Sequence, residues 1–273
     1  MKIATGIGTF PDVWEVEKVF SIAKEIGYDG VELPLRSEGV LTYHSTEKDY
    51  IKIKQAADNC GIQICSIACS DFFGTPLTSH DENIRNKAKD MLKKELEAGS
   101  ALSCDTVLVI PGMVDENTDY ETAMERCEEW LAEFKPVAES YRVCMGLENV
   151  WNKFLQSPLE MRDLIDTQNS EFVGAYFDVG NVVVNGFPEQ WIKTLGSRIK
   201  KVHFKDFSRR IGNMTGFVPL LRGDVNYCKV MEALQSVGYD GWVTAETGFA
   251  PEAPEATLSY TYMAMKKILE MKN

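Results

Sequence analysis

Four residues that could bind one divalent metal ion follow one another along the second half of the chain, each near the end of an apolar run. Three carboxylates brought together without a cation would repel each other and be costly to bury. Oxygen ligands with one nitrogen suit Mn²⁺, Mg²⁺ or Co²⁺, whereas a structural Zn²⁺ site would more often use cysteines. The pattern predicts a metal site, with Mn²⁺ favoured and Mg²⁺, Co²⁺ and Zn²⁺ as alternatives, held by Glu148, Asp178, His203 and Glu246.

Each of the four residues also has a structural interpretation when taken alone. A carboxylate at the end of a strand often caps the next helix, and a histidine between apolar residues often packs in the core. Their joint occurrence on four consecutive predicted strands is what favours the metal site.

The elements that must position these residues alternate along the whole chain. Short β-branched runs predict strands, and longer amphipathic stretches predict helices. The start of the fifth helix is marked by Ser157, Pro158 and Glu160, an arrangement typical of a capping box. The predicted strands are 2–8, 30–34, 63–69, 106–112, 143–150, 173–179, 199–206 and 241–247, and the predicted helices lie near 12–26, 47–60, 80–99, 119–140, 158–168, 188–196, 226–237 and 252–271.

Eight uniform strand and helix units favour a closed parallel barrel over an open doubly wound sheet. The glycine-rich turn after the first strand supports this choice, because Pro11 prevents it from completing the phosphate-binding motif of such sheets. We therefore expect an α/β protein with a single (β/α)8 TIM barrel, and one domain over residues 1–273. Active sites of such barrels lie at the carboxyl ends of the strands, where the four predicted ligands fall.

Composition and charge limit the kinds of molecule that the protein is expected to bind. The chain has 29 Lys and Arg against 41 Asp and Glu, a net charge of −12, which opposes binding to nucleic acid or an anionic membrane. The N-terminus has no signal-peptide pattern, and no apolar run approaches about 20 residues. Seven cysteines without a CxxC pair favour reduced thiols. We expect a cytoplasmic protein with a small-molecule partner, no nucleic acid and no membrane.

Four segments resemble the xylose isomerase-like TIM barrels, specifically the sugar and sugar-phosphate isomerases and epimerases that include ketose 3-epimerases and L-xylulose-5-phosphate 3-epimerase. The resemblance spans essentially the whole chain, and the ligands of the family's metal fall on the four residues named above. The segments are GLENVWNKFLQSPLEM (146–161), YFDVGN (176–181), KKVHFKDF (200–207) and GYDGWVTAE (238–246).

The resemblance implies a catalytic scheme with two glutamates. In these enzymes the metal holds two adjacent substrate oxygens, one glutamate removes a proton, a metal-bound cis-enediolate forms, and the other glutamate returns a proton to the opposite face. In this sequence the resemblance assigns these two roles to Glu148 and Glu246. The expected function is a divalent-metal-dependent isomerase or epimerase of a ketose or ketose phosphate.

Five further residues are predicted to bind the substrate or to hold the residues that do. The family's substrate-binding arginine falls on Arg209, and Asn181 occupies the place of a histidine found in epimerases of free ketoses, so the sequence is more similar to the sugar-phosphate members. Asn149 and Lys205 are candidates for holding a catalytic glutamate, and Trp14 for a wall of the pocket. By analogy with similar proteins we expect a homo-oligomer.

Two other functions remain open at this point. An inosose-type dehydratase would use the same metal and a carboxylate to expel a hydroxyl group, and a non-catalytic barrel would only bind a sugar. The apurinic endonucleases of the same fold need a zinc cluster rich in histidine, which three histidines and a charge of −12 exclude.

Overall fold

Eight parallel strands close into a barrel at the centre of the molecule. The computed structural model describes residues 1–6 and 8–271. Each strand pairs in parallel with the next, and β1 pairs with both β2 and β8, which closes the ring. The predicted (β/α)8 TIM barrel is therefore confirmed. The strands are β1 Lys2–Thr5, β2 Gly30–Arg36, β3 Gln63–Ala68, β4 Thr106–Val109, β5 Cys144–Glu148, β6 Val173–Asp178, β7 Ile199–Phe204 and β8 Trp242–Ala245.

One long helix follows each strand and packs its apolar face against the barrel. Ser157 and Glu160 form the expected capping box at the start of α5, with Pro158 in its first turn. None of the described helices is long and apolar enough to cross a membrane. The helices are α1 Val16–Ile26, α2 Glu47–Cys60, α3 Glu82–Ala101, α4 Tyr120–Tyr141, α5 Pro158–Gln168, α6 Pro188–Leu195, α7 Tyr227–Ser236 and α8 Pro254–Leu269.

Most of the strands end earlier than their sequence patterns suggest. Glu246 lies directly after β8 and Lys205 directly after β7, although both were expected inside strands. The backbone leaves the sheet at these points to form the loops of the carboxyl rim. Two short pairings in these loops were not predicted. Leu41–Thr42 pairs in parallel with the end of β2, and Asp206–Phe207 pairs in an antiparallel manner with Phe217–Val218.

The interior of the barrel contains a polar cluster beneath the carboxyl rim. Glu32 of β2, Ser66 of β3, Tyr176 of β6 and His203 of β7 are each no more than 1% exposed. Buried polar side chains of this kind are stable only when they are hydrogen bonded to each other. The cluster therefore links the structural core of the barrel to the residues at its rim.

Candidate metal centre and active site

The four predicted ligands converge at the carboxyl end of the barrel. One ligand atom from each lies within 4.8 Å of the others. His203 Nδ1 lies 3.0 Å from Glu246 Oε2, 3.6 Å from Glu148 Oε1 and 4.0 Å from Asp178 Oδ2. Glu148 and Asp178 are the last residues of β5 and β6, so strand register places them beside the histidine.

Three atoms of this cluster are buried without a hydrogen bond of normal geometry to any described residue. They are Asp178 Oδ2, His203 Nδ1 and Glu246 Oε2. A buried polar atom left unpaired costs about 1–3 kcal/mol. The ammonium of Lys205 lies near Glu246 Oε2 and Asp178 Oδ2 and offsets part of this penalty, but it cannot satisfy all three atoms. A divalent cation coordinated by all three would remove that penalty. Three carboxylates and one imidazole are also a suitable donor set for such an ion.

Burial and mutual repulsion raise the pKa of two of the carboxyl groups. Burial, with a contribution from the charge of Glu246, raises the pKa of Glu148 to about 7. Burial also raises the pKa of Asp178 to about 6, against the opposing effect of Lys205. A bound cation would favour the ionised form of both groups, so metal binding at this site would release protons below neutral pH.

Lys205 keeps the fourth carboxyl group ionised. Its Nζ lies 2.8 Å from Glu246 Oε2 and 3.6 Å from Asp178 Oδ2. Burial alone would raise the pKa of Glu246, but Lys205 and His203 outweigh it and hold that pKa well below its usual range. Glu246 is thus ionised at neutral pH and ion-paired with Lys205. A role of Glu246 in proton transfer, supported by Lys205, stays a prediction.

Asn149 and Asn181 surround Asp178 with hydrogen bonds. The Asn149 side chain donates to the carbonyl of Asp178 and accepts from its backbone N–H, both at 2.8 Å. The backbone N–H of Asn181 donates to Asp178 Oδ1 at 2.7 Å, and its side chain donates to the carbonyl of Asn149. These bonds engage Oδ1 and leave Oδ2 directed at the cluster. Direct binding of substrate by either asparagine stays a prediction.

Glu32 is a functional residue that the sequence analysis missed. Its Oε1 lies 3.0 Å from His203 Nε2, and its Oε2 accepts hydrogen bonds from Ser66 Oγ, at 2.7 Å, and from Tyr176 Oη. A carboxylate at this distance favours a proton on Nε2 of His203, which would direct Nδ1 to a metal. A glutamate inside the apolar run VELPL was the signal in the sequence, because a charge there needs a buried partner.

A cavity of about 200 Å³ lies over the ligands. Trp151 and Phe217 form one wall, with ring centroids 5.2 Å apart, and Trp151 Nε1 donates to the carbonyl of Asn181. Trp14 lines a separate cavity of about 40 Å³, where Lys18 Nζ lies 4.1 Å from its ring. Trp14 therefore does not line the cavity over the ligands, where its contact with substrate was predicted.

A second and larger cleft of about 990 Å³ adjoins the first. The two share Lys205, Phe217 and Glu246, and Arg222 lines the larger one. Arg209 is exposed and lines neither of them; its backbone N–H donates to Asp224. Binding of substrate by Arg209 stays a prediction.

Relatives identified by sequence include sugar enzymes of two kinds. A protein of Escherichia coli strain K12 named putative L-ribulose-5-phosphate 3-epimerase is 24% identical over 81% of this chain and 79% of its own. A protein of Lacticaseibacillus casei strain BL23 named inosose dehydratase is 22% identical over 99% of this chain and 97% of its own.

Solved structures show the same fold. A D-tagatose 3-epimerase-like protein superposes with a TM-score of 0.82 at 21% identity, covering 99% of this chain and 97% of its own. The IOLI protein, solved with a zinc atom, superposes with a TM-score of 0.80 at 18% identity, covering 98% of each chain. The family profile described as xylose isomerase-like TIM barrel matches residues 20–263. The chain belongs to the xylose isomerase-like TIM barrel family.

Proposed function

We propose that this protein is a divalent-metal-dependent isomerase or epimerase of a ketose or ketose phosphate. The observation that carries the proposal is the cluster of four ligands with three unsatisfied buried atoms, two of whose members are glutamates. The names of the putative epimerase and the epimerase-like structure support the same reaction class.

Glu148, Asp178, His203 and Glu246 would hold the metal, and when bound it would supply charge stabilisation for the oxygens beside the reacting carbon. Lys205 keeps Glu246 ionised and able to accept a proton. Glu148 is the second glutamate of the cluster, and it would exchange a proton with the opposite face of the same carbon. Two carboxylates, one to accept a proton and one to return it, are what proton transfer from one face of a sugar carbon to the other requires.

The surroundings of the cluster suit this chemistry. Trp151 and Phe217 exclude water from one side of the ligands, which strengthens the electrostatic effect of each charged group. Asn181, Asn149 and Lys205 fix the ligands, and Arg209 and Trp14 stay proposals for contact with the substrate. Mn²⁺ remains the metal we propose, from the donor set; the zinc of the IOLI protein belongs to that protein.

Exchange of the substrate α-proton with D₂O tests the proposal. Protein stripped of metal and reloaded with Mn²⁺ should exchange the proton at the carbon beside the carbonyl of a ketose or ketose phosphate. Glu246→Gln and Glu148→Gln should fold and lose exchange by about 10²–10⁴-fold, the usual effect of removing a general acid or base. Glu95→Gln is a matched control, since Glu95 is buried in α3 outside the cluster. Full turnover of Glu246→Gln would refute the two-glutamate scheme.

A dehydratase is the second function to test, because the inosose dehydratase matches nearly the full length of both chains. Such an enzyme would convert a polyol ketone into a product with a new carbonyl chromophore, which an epimerase does not form. A protein that only binds sugar would give neither the chromophore nor proton exchange.

We further propose that residues 1–273 form one domain, that the protein assembles as a homo-oligomer and that it resides in the cytoplasm. The seven cysteines are all free, which supports a reducing compartment. Gel filtration with light scattering tests the assembly, and cell fractionation tests the location.

A further inference from the structure

The larger cleft extends from the metal centre toward α8. Its near end is formed by Lys205, Phe217 and Glu246, which also belong to the cavity over the ligands. Its far side is formed by Arg222 and Tyr260 among mainly apolar residues. A substrate whose reacting carbon lies at the ligands can therefore place its other end beside Arg222.

Arg222 is an arginine without a partner in this cleft. Its guanidinium makes no hydrogen bond or ion pair with any residue in 1–6 or 8–271, although the chain carries twelve more acidic than basic charges. The other cation among the residues that line the cleft, Lys205, is paired with Glu246. An unpaired guanidinium provides paired N–H donors that match the oxygens of a phosphate.

The loop that carries Arg222 is fixed to the strand that carries the metal histidine. Buried Asp206, two residues after β7, accepts hydrogen bonds from Gly223 N–H at 2.9 Å and Val225 N–H at 3.2 Å. A Cβ added to Gly223 would lie 2.2 Å from Asp206 Oδ1, so only glycine permits this approach. On the other side, Tyr260 Oη donates to the carbonyl of Leu220 at 2.7 Å. The backbone of Arg222 is thus held on both sides.

Two details of the same region indicate a binding site. Leu221, directly before Arg222, has φ 67°, a left-handed conformation that is strained for leucine and is typical of functional loops. Thr247 follows Glu246 and lines the cleft, and its hydroxyl oxygen is buried without a hydrogen bond to any described residue. That hydroxyl, directly after Glu246, is available to a ligand in the cleft.

From this arrangement we infer that Arg222, with Thr247, binds the phosphate group of the substrate, and that the substrate is a phosphorylated ketose. The inference rests on the proposed function. It assigns phosphate recognition to the cleft and to Arg222, whereas the sequence pattern pointed to Arg209. Both arginines are exposed, but Arg222 lines the cleft and Arg209 does not.

Kinetics on two matched substrates test the assignment. Mn²⁺-loaded protein is assayed for proton exchange with a ketopentose 5-phosphate and with the same ketopentose without phosphate. In Arg222→Gln the KM for the phosphorylated sugar should rise about ten- to a hundredfold, the usual value of a charge-assisted hydrogen bond, with kcat little changed. The preference for phosphate should fall by the same factor. Arg210→Gln, an exposed arginine of the same charge, is the control and should keep the preference.

Binding without turnover separates the two proposals. Metal-free protein is titrated with the ketopentose 5-phosphate in a calorimeter, and Arg222→Gln should bind about tenfold or more weakly. Exchange on both sugars with no preference for phosphate would overturn the role of Arg222 and leave the proposed function intact. A loss confined to Arg209→Gln would overturn it as well. Absence of exchange on every ketose, with phosphate-dependent binding retained, would instead refute the proposed function.

Discussion

Replacing Glu32 with glutamine should weaken metal binding, although Glu32 is not itself one of the four ligands. Its carboxylate accepts from His203 Nε2, Ser66 Oγ and Tyr176 Oη, and it is fully buried. Glutamine has nearly the same shape but no charge, and one of its two polar ends donates instead of accepting. The change therefore alters the electrostatics of His203 while it preserves the packing.

The expected loss of metal affinity follows from the two orientations that the glutamine amide can adopt. If the amide nitrogen faces His203, the histidine must move its proton to Nδ1, the atom that binds metal. If the amide oxygen faces His203, the tautomer is kept but the negative charge that makes Nδ1 more basic is lost. Removing such a partner of a metal-bound histidine usually costs ten- to a hundredfold in affinity, or about 1.4–2.7 kcal/mol.

The assay is a titration of metal-free protein with Mn²⁺ in competition with a chelator of known affinity, at neutral pH. Glu95→Gln is the control for the substitution itself, because it replaces a second fully buried glutamate, whose oxygens have no hydrogen bond to any described residue. It should leave the Kd for Mn²⁺ unchanged.

An unchanged Kd for Glu32→Gln, in a variant whose circular dichroism and melting temperature match the parent, would refute the proposed role of Glu32. A weakening as large in Glu95→Gln would also refute it, since the loss would then follow from disturbing the barrel interior rather than from the bond to His203.

Three further predictions concern stability and support of the site. Chelation of the metal should lower the melting temperature by several degrees, because a metal at a hundred times its Kd adds about 2.7 kcal/mol to the free energy of unfolding. Calorimetry with and without Mn²⁺ measures the change, and equal melting temperatures would contradict a metal site. Burial, and to a smaller extent the charge of Glu32, raises the pKa of Glu95 well above its usual value. The unfolded chain ionises Glu95 freely above about pH 4.3, so stability should fall as pH rises from there by up to about 1.4 kcal/mol per pH unit. Glu95→Gln should remove that slope in urea unfolding at pH 4–8, and an unaltered slope would show that Glu95 is ionised in the fold. Asn149→Ala removes the two hydrogen bonds that the Asn149 side chain makes to the backbone of Asp178. It should lower the free energy of unfolding by about 1–3 kcal/mol in the same measurement. A loss below about 0.5 kcal/mol, the size expected of a surface substitution, would show that other bonds hold Asp178.

The sequence by itself determined the barrel and the convergence of the four predicted ligands. Strand patterns with period two and helical patterns of regular length are local properties, and eight of them in alternation allow few topologies. The rule that parallel strands share one carboxyl rim then places Glu148, Asp178, His203 and Glu246 together without coordinates. The early end of β8 shifted Glu246 out of the strand but not away from the rim.

Only the tertiary structure decided which residues support and extend the site. Glu32 is separated from His203 by 171 positions, and its pairing depends on how β2 and β7 face each other across the barrel. Arg222 and Arg209 are both loop arginines in the sequence. The hydrogen bonds that Asp206 accepts from Gly223 and that Tyr260 donates to Leu220 are what hold the loop of Arg222 at the cleft. Such contacts arise from packing between distant segments, for which a periodic pattern along the chain carries no information.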